Sequence, residues 1–136
     1  MARSPFIFQS AHTSVHLSPR PILPGRTLSS DLQLRPLRAV LSLSSLTSTE
    51  FQDLWSTTQT VVQRLTTVEG ISAFTIETKD ALPSVSWLTV NIIPRRHGDL
   101  PENDQIYRLL DREDLVERAE PADLEREAEE MRRLLG

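Results

Sequence analysis

Apolar residues recur along this chain at two distinct spacings, and the switches between them outline its elements. Near the N-terminal end the spacing is two. Phe6-Ile7-Phe8, then Thr13 to Leu17 with Val15 and Leu17 on one face, predict a pair of strands closed by the turn Pro24-Gly25. Leu32 and Leu34, with Leu37 as a further member, alternate with Gln33, Arg35 and Pro36 and predict a third strand that ends at the proline. Leu41 to Thr49 is rich in Ser, Thr and Leu and reads as a loop. Thr47 followed by Glu50 forms a capping box, in which each side chain satisfies a backbone N–H that the first helical turn leaves without a partner. Phe51, Leu54, Trp55, Thr58, Val61, Val62 and Leu65 then fall at helical spacing, and Gly70 is expected to close the helix. The period returns to two for Ile71 to Glu77 and for Val85 to Ile93. The latter strand places Leu88, Val90 and Ile92 on one face and Trp87, Thr89 and Asn91 on the other. One side should therefore pack while the other meets something else. Pro94-Arg95-Arg96-His97-Gly98 is expected to end that strand. Asp104 opens a helix carrying Ile106, Leu109 and Leu110, and Pro121 opens a last one with Leu124, Ala128, Met131 and Leu135 on its apolar side. The expected class is α+β: an antiparallel sheet of five strands, one long helix and C-terminal helices.

Composition narrows the function classes. With 136 residues, 38% hydrophobic and 25% charged, the chain is expected to form one domain over residues 1–136. Its core spans about residues 6–110, and a C-terminal helical segment spans about residues 104–136. There is no Cys, which removes disulfides, thiolate metal ligands and cysteine nucleophiles together. No apolar run approaches the roughly 18 residues of a membrane span, so a soluble protein with no membrane partner is expected. The net charge of -4 is uneven: residues 1–50 carry +3, residues 51–100 carry -1 and residues 101–136 carry -6. That acidic tail argues against nucleic acid as a partner. Lys79 is the only Lys, so phosphate contacts would come chiefly from Arg forks. The first thirty residues hold no acid, three Arg and six Ser, the composition of a transit peptide, but Pro5, Pro19, Pro21 and Pro24 would break its amphipathic helix. A cytoplasmic or nuclear protein is the expectation, with a mitochondrial one as the alternative.

Few motifs carry chemistry. His12 and His16 are four residues apart, which on a strand is about 13 Å, too far for one zinc ion, and no third ligand accompanies them. His97 lies in a polar turn. No Gly-flanked Ser elbow appears, and with Gly25, Gly70, Gly98 and Gly136 as the only glycines no phosphate-cradling Gly-rich loop can form. The C-terminal helices hold Glu and Arg at helical spacing, such as Glu129 with Arg133, and read as a solvated face of weak ion pairs.

The order of elements, taken with certain segments, resembles the histidine triad superfamily and, within it, the fragile histidine triad branch. Arg20-Pro21-Ile22-Leu23-Pro24-Gly25 is similar to that branch's proline-framed turn, and Arg35-Pro36-Leu37-Arg38 to the end of its next strand. Leu54-Trp55-Ser56-Thr57-Thr58-Gln59-Thr60-Val61 is similar to its helix. Most specific is Val90-Asn91-Ile92-Ile93-Pro94-Arg95-Arg96-His97-Gly98-Asp99 followed by Asn103-Asp104-Gln105-Ile106-Tyr107. The resemblance runs from about Thr13 to Leu110.

The resemblance implies His-x-His-x-His on the strand before Pro94, yet those places hold Trp87, Thr89 and Asn91. In the family the middle His attacks the α-phosphate of a dinucleoside polyphosphate or nucleotide conjugate, forming a nucleotidyl-His that water hydrolyses. A Thr hydroxyl at Thr89 would need a base, and loss of a nucleophile costs around 10⁴ to 10⁶ in rate. The resemblance further implies Ser18 where the branch has a ribose-holding Asn, Arg26 in place of a His, and Thr78-Lys79-Asp80 in place of a Gly-containing phosphate loop. Ser18, Arg26, Thr78 and Asn91 are thus the implied nucleotide contacts; for an active hydrolase, Arg26, Arg95 and Arg96 are the candidate phosphate forks. Trp87 is expected to fill the space of the nucleotide or to stack on its base.

The function expected is a catalytically degenerate relative of the dinucleoside triphosphate hydrolases, acting through residual binding of AMP or a dinucleoside polyphosphate or through protein contacts. The alternatives are an active hydrolase or transferase cleaving diadenosine triphosphate-like substrates to AMP, and a structural or assembly subunit, with an organellar setting as one option. No cofactor or metal is expected, and a symmetric homodimer is.

Overall fold

The computed structural model describes residues 5–18, 31–80, 87–111 and 120–136, with Asp111 by its backbone only. The Pro24-Gly25 turn, Arg26, Val85 and Ser86 fall outside the described residues.

Five strands form one sheet: β1 (Phe6–Gln9), β2 (Thr13–Leu17), β3 (Leu32–Pro36), β4 (Ile71–Lys79) and β5 (Thr89–Arg96). Their spatial order is β1-β2-β3-β5-β4 and every pairing is antiparallel. Alternation does what the sequence led one to expect. Val15, Leu34 and Val90 line up as one row across the three middle strands, and Leu17, Leu32 and Ile92 as a second. All six are fully buried. This apolar face takes α1 (Ser48–Leu65), whose Leu54, Val61 and Leu65 complete the core. At roughly 1.5 to 3 kcal/mol per fully buried aliphatic side chain, these rows are the main attraction holding helix to sheet.

The capping box is present, with Thr47 Oγ1 accepting from the Glu50 N–H and Glu50 Oε1 accepting from the Thr47 N–H. Arg38 grips the same carboxylate with Nε and Nη2 at 3.0 and 2.8 Å. Together they hold the Glu50 carboxyl down to about 2. Asp53, one turn on, fastens α1 to the β1–β2 turn: a single oxygen, Oδ2, accepts from Ser10 Oγ, the His12 N–H and Thr13 Oγ1. The last helix, α3 (Pro121–Leu135), buries Leu124, Ala128, Met131 and Leu135 as its spacing requires. Arg132 Nε and Nη2 both donate to the Phe6 carbonyl, tying α3 to β1.

Several expectations are corrected. Leu37 is 43% exposed, because the strand ends at Pro36 and the alternation ends with it. Phe51 is 45% exposed, since it lies on the first turn of α1, leaning on Trp55 with ring centroids 6.2 Å apart. Gly70 does not cap α1, which stops at Leu65; it stands at φ 91, a left-handed conformation suited to Gly, and turns the chain into β4. β5 begins at Thr89 and passes through Pro94 to Arg96. Among the described residues β3 pairs with β5 only from Val90 to Ile92, while β4 pairs with β5 as far as Arg96, so Pro94 stands where the described ladder to β3 has ended and is tolerated. Finally, Arg133 pairs with Glu130 and Arg132 with Glu129, three residues apart rather than four.

Candidate functional site

The second face of the sheet carries the chemistry. Side chains out of step with the apolar rows form two polar ones. In the first, His16 stands opposite Gln33, Gln33 opposite Asn91 and Asn91 opposite Glu77, so four strands contribute one residue each. In the second, Ser14 stands opposite Arg35 and Thr89 opposite Lys79. Continuing the Leu34–Val90 register by one residue sets Arg35 beside Thr89. Directly opposed residues have Cβ atoms about 5 Å apart, so Thr89 is flanked by a cationic side chain on each neighbouring strand. At one end the face is covered by α2 (Gln105–Asp111), whose Ile106 and Leu110 bury Ile93 in a small second core. The mixed face therefore packs at that end, which its pattern alone did not reveal.

Each of the three residues singled out on this face is engaged by its own surroundings. The Trp87 indole N–H donates to the Pro36 carbonyl at 3.1 Å, laying the ring against the end of β3. The Thr89 hydroxyl donates to the Trp87 carbonyl at 3.1 Å. The Asn91 amide donates to Glu77 Oε1 at 3.3 Å. Glu77 Oε1 also lies 3.4 Å from the Lys79 ammonium, which donates in turn to the Leu110 carbonyl near the end of α2. Thr89 and Asn91 are only 7% and 8% exposed, so a reacting group placed there would sit in a largely desolvated position.

Of the other predicted contacts, Ser18 is buried just after β2, its N–H donating to the Asp31 carbonyl. Thr78 is not brought to this face: it pairs with Val90, one residue out of step with Lys79 and Glu77, and its hydroxyl donates to the Thr89 carbonyl. Arg26 lies outside the described residues. Arg95 does not present a phosphate fork, because Nε and Nη2 grip both oxygens of Asp99 at 2.8 and 2.9 Å and Nη1 donates to Thr75. That pairing raises the Arg95 pKa and holds the Asp99 carboxyl below its ordinary value. Arg96 reaches the other way, to the Glu69 carbonyl. Among the described residues no group of three His, Asp or Glu is placed to hold a metal ion.

Three participants on this face, Arg35, Glu77 and Lys79, were not anticipated as neighbours of Thr89 and Asn91. The alternation of β3 puts Arg35 out of step with Leu32 and Leu34. Only strand order, however, makes Arg35 and Lys79 the two flanks of Thr89.

No family model matches the chain. It is 37% identical over 95 residues to the bifunctional bis(5'-adenosyl)-triphosphatase/adenylylsulfatase FHIT of Arabidopsis thaliana, covering 68% of this chain and 50% of that protein. The chain thus spans half the length of that relative. It is 34% identical over 118 residues to the bis(5'-adenosyl)-triphosphatase of Dictyostelium discoideum, covering 85% of this chain and 74% of that one. A solved histidine triad protein from Bradyrhizobium japonicum superposes with a TM-score of 0.73 at 18% identity, over 98% of this chain and 91% of that one, a likeness of fold.

Proposed function

The chain belongs to the histidine triad superfamily, in its fragile histidine triad branch, and from that premise we propose that it binds a nucleotide without hydrolysing it. The observation that carries this reading is the wiring of Trp87, Thr89 and Asn91, the places where the family resemblance puts the three histidines. A threonine acts as a nucleophile only beside a group that can take its proton. The Thr89 hydroxyl instead donates to a backbone carbonyl, which cannot. Glu77, the carboxylate in the row of Asn91 and nearest Thr89 across the β4–β5 pairing, is directed to Asn91 and Lys79. In this reading the ligand is of the class that the relatives' names describe, an adenosine nucleotide or a dinucleoside triphosphate, and the polar rows of the sheet are its floor.

The test uses purified protein and diadenosine triphosphate. AMP release is expected to fall roughly 10⁴-fold or more below that of a relative with an intact triad. AMP is expected to raise the melting temperature, since a ligand bound only by the folded state stabilises it. Thr89-dependent release of AMP would overturn the non-catalytic part, and the absence of any shift with saturating AMP would overturn the binding part.

A homodimer joined through an edge of the sheet is part of the same proposal. Among the described residues the nine-residue strand β4, with Ile76 42% exposed, stands at the edge of the sheet, an edge of the kind that recruits a second copy. Light scattering at high concentration that gives a strictly monomeric mass would refute it.

A further inference from the structure

Three cations stand on the polar face of the sheet among the described residues: Lys79, Arg95 and Arg35. The first two are matched by carboxylates, Lys79 by Glu77 and Arg95 by Asp99. Arg35 is not. Its one described contact is a hydrogen bond from Nη2 to the neutral Gln33 Oε1 at 3.2 Å, with no acid in ion-pair range among the described residues. Of the five N–H donors on a guanidinium, the rest face no described acceptor. The side chain is half-buried, and burial lowers its pKa below the ordinary arginine value, though a guanidinium keeps its proton throughout the working range of pH. Holding a partly desolvated charge without a counter-charge opposes folding, so a residue of this kind points to a counter-ion from outside the chain.

We propose that Arg35 is an anion anchor that takes a phosphate group on this face of the sheet, with Gln33 orienting the guanidinium and Thr89 beside it. The chemistry suits the position. A guanidinium offers a planar fork that meets two phosphate oxygens at once, whereas an ammonium acts as a point charge. Gln33 accepts from one Nη2 proton, which orients the guanidinium along β3 and leaves the second Nη2 proton, with Nη1 or Nε beside it, as a two-pronged edge for a ligand. The register sets Arg35 opposite Thr89, while Glu77 lies two strands over from β3, opposite Asn91. A phosphate at Arg35 is thus kept clear of the one carboxylate described in these two rows. The choice of a nucleotide phosphate rests on the nucleotide-binding reading above; the uncompensated cation does not depend on it.

Calorimetry with AMP, adenosine and inorganic pyrophosphate, on the unaltered protein and on Arg35→Gln and Arg35→Lys, tests the proposal. Arg35→Gln should weaken AMP and pyrophosphate at least tenfold and leave adenosine unchanged, while Arg35→Lys should recover only part of the loss. AMP binding should also weaken as salt is raised. Melting temperature is the control that separates this role from a structural one: a counter-charge-free cation held for a ligand predicts that Arg35→Gln is as stable as the parent or more so. A substantial fall would mean that Arg35 is there to hold the sheet, and the inference fails. If AMP binds equally well to Arg35→Gln, the anchor is wrong and the nucleotide reading survives. If pyrophosphate binding depends on Arg35 but AMP does not bind, the anchor stands and the nucleotide reading falls. If none of the three ligands binds the unaltered protein, both fall.

Discussion

Replacing Asp53 by Ala should loosen α1 from the strands that carry the polar face, and the size of the effect follows from a single atom. Asp53 Oδ2 accepts from Ser10 Oγ at 2.6 Å, the His12 N–H at 2.9 Å and Thr13 Oγ1 at 2.8 Å, while Thr57 Oγ1 donates to Ser10 Oγ at 3.0 Å. Burial pushes this carboxyl upward, but the donors of Ser10, Thr13 and His12 outweigh it and hold the pKa below its ordinary value. Removal of the carboxylate affects the donors unequally. Thr13 is fully buried, so its hydroxyl is left without that acceptor at about 1 to 3 kcal/mol. Ser10 and His12 are partly exposed and water replaces the lost acceptor, at about 0.5 to 1 kcal/mol each. The sum is about 3 kcal/mol, and for a domain of this size each kcal/mol moves the melting temperature by roughly 3 to 6 °C, so a fall of about 10 °C or more is expected. Urea unfolding followed by circular dichroism gives the free energy, with the slope against urea unchanged if the unfolded state is unaffected. Asp53→Asn supplies an internal comparison: it keeps one carbonyl oxygen where all three bonds converge but loses the charge, and should cost roughly half as much. An Asp53→Ala protein within about 0.5 kcal/mol of the parent would refute the reasoning, because it would mean that the three bonds merely replace equally good ones to water.

Other expectations concern the helix start and the sheet core. Glu50 has its pKa lowered from 4.5 to about 2 by Arg38 and the Thr47 cap. A depressed carboxylate contributes stability that is fully present above its unfolded pKa and lost as the pH falls towards its folded one. The stability gap between the parent and Glu50→Gln should therefore be constant above about pH 5 and close as the pH approaches 2, read by urea midpoints at each pH; a gap independent of pH would remove the Arg38–Glu50 pairing as its source. Leu34→Ala deletes the centre of the Val15–Leu34–Val90 row and should cost about 2 to 5 kcal/mol, depending on how far the helix settles into the space. A loss below about 1 kcal/mol would show that the row is not close-packed.

Much of the fold is legible along the chain because it is written in residues close together in sequence. A capping box spans three residues, the stripe of α1 repeats within each turn, and alternation in β2, β3 and β5 assigns each side chain to a face without reference to any partner. For the same reason alternation alone separates Trp87, Thr89 and Asn91 from Leu88, Val90 and Ile92. The failures lie where distant residues decide. Pro94 reads as a strand end, yet the strand continues because β4 pairs with it as far as Arg96. Gly70 reads as a helix cap, yet the last turn closes earlier and the left-handed glycine serves the entry to β4.

The sequence by itself determined the elements, the apolar faces that join them, and the absence of any histidine from positions 87, 89 and 91. Tertiary structure alone decided what those faces bring together. The insertion of β5 between β3 and β4 places Arg35 and Lys79 on either side of Thr89; Lys79 keeps Glu77, its neighbour on β4, as counter-charge, while Arg35 has no acid in ion-pair range among the described residues. Periodicity is a property of neighbours in the chain and survives in any window of a few residues, whereas register and strand order arise from pairing between segments up to tens of residues apart. The chemistry of this face is a product of that pairing, because no window of the chain holds Arg35, Glu77, Lys79 and Thr89 together.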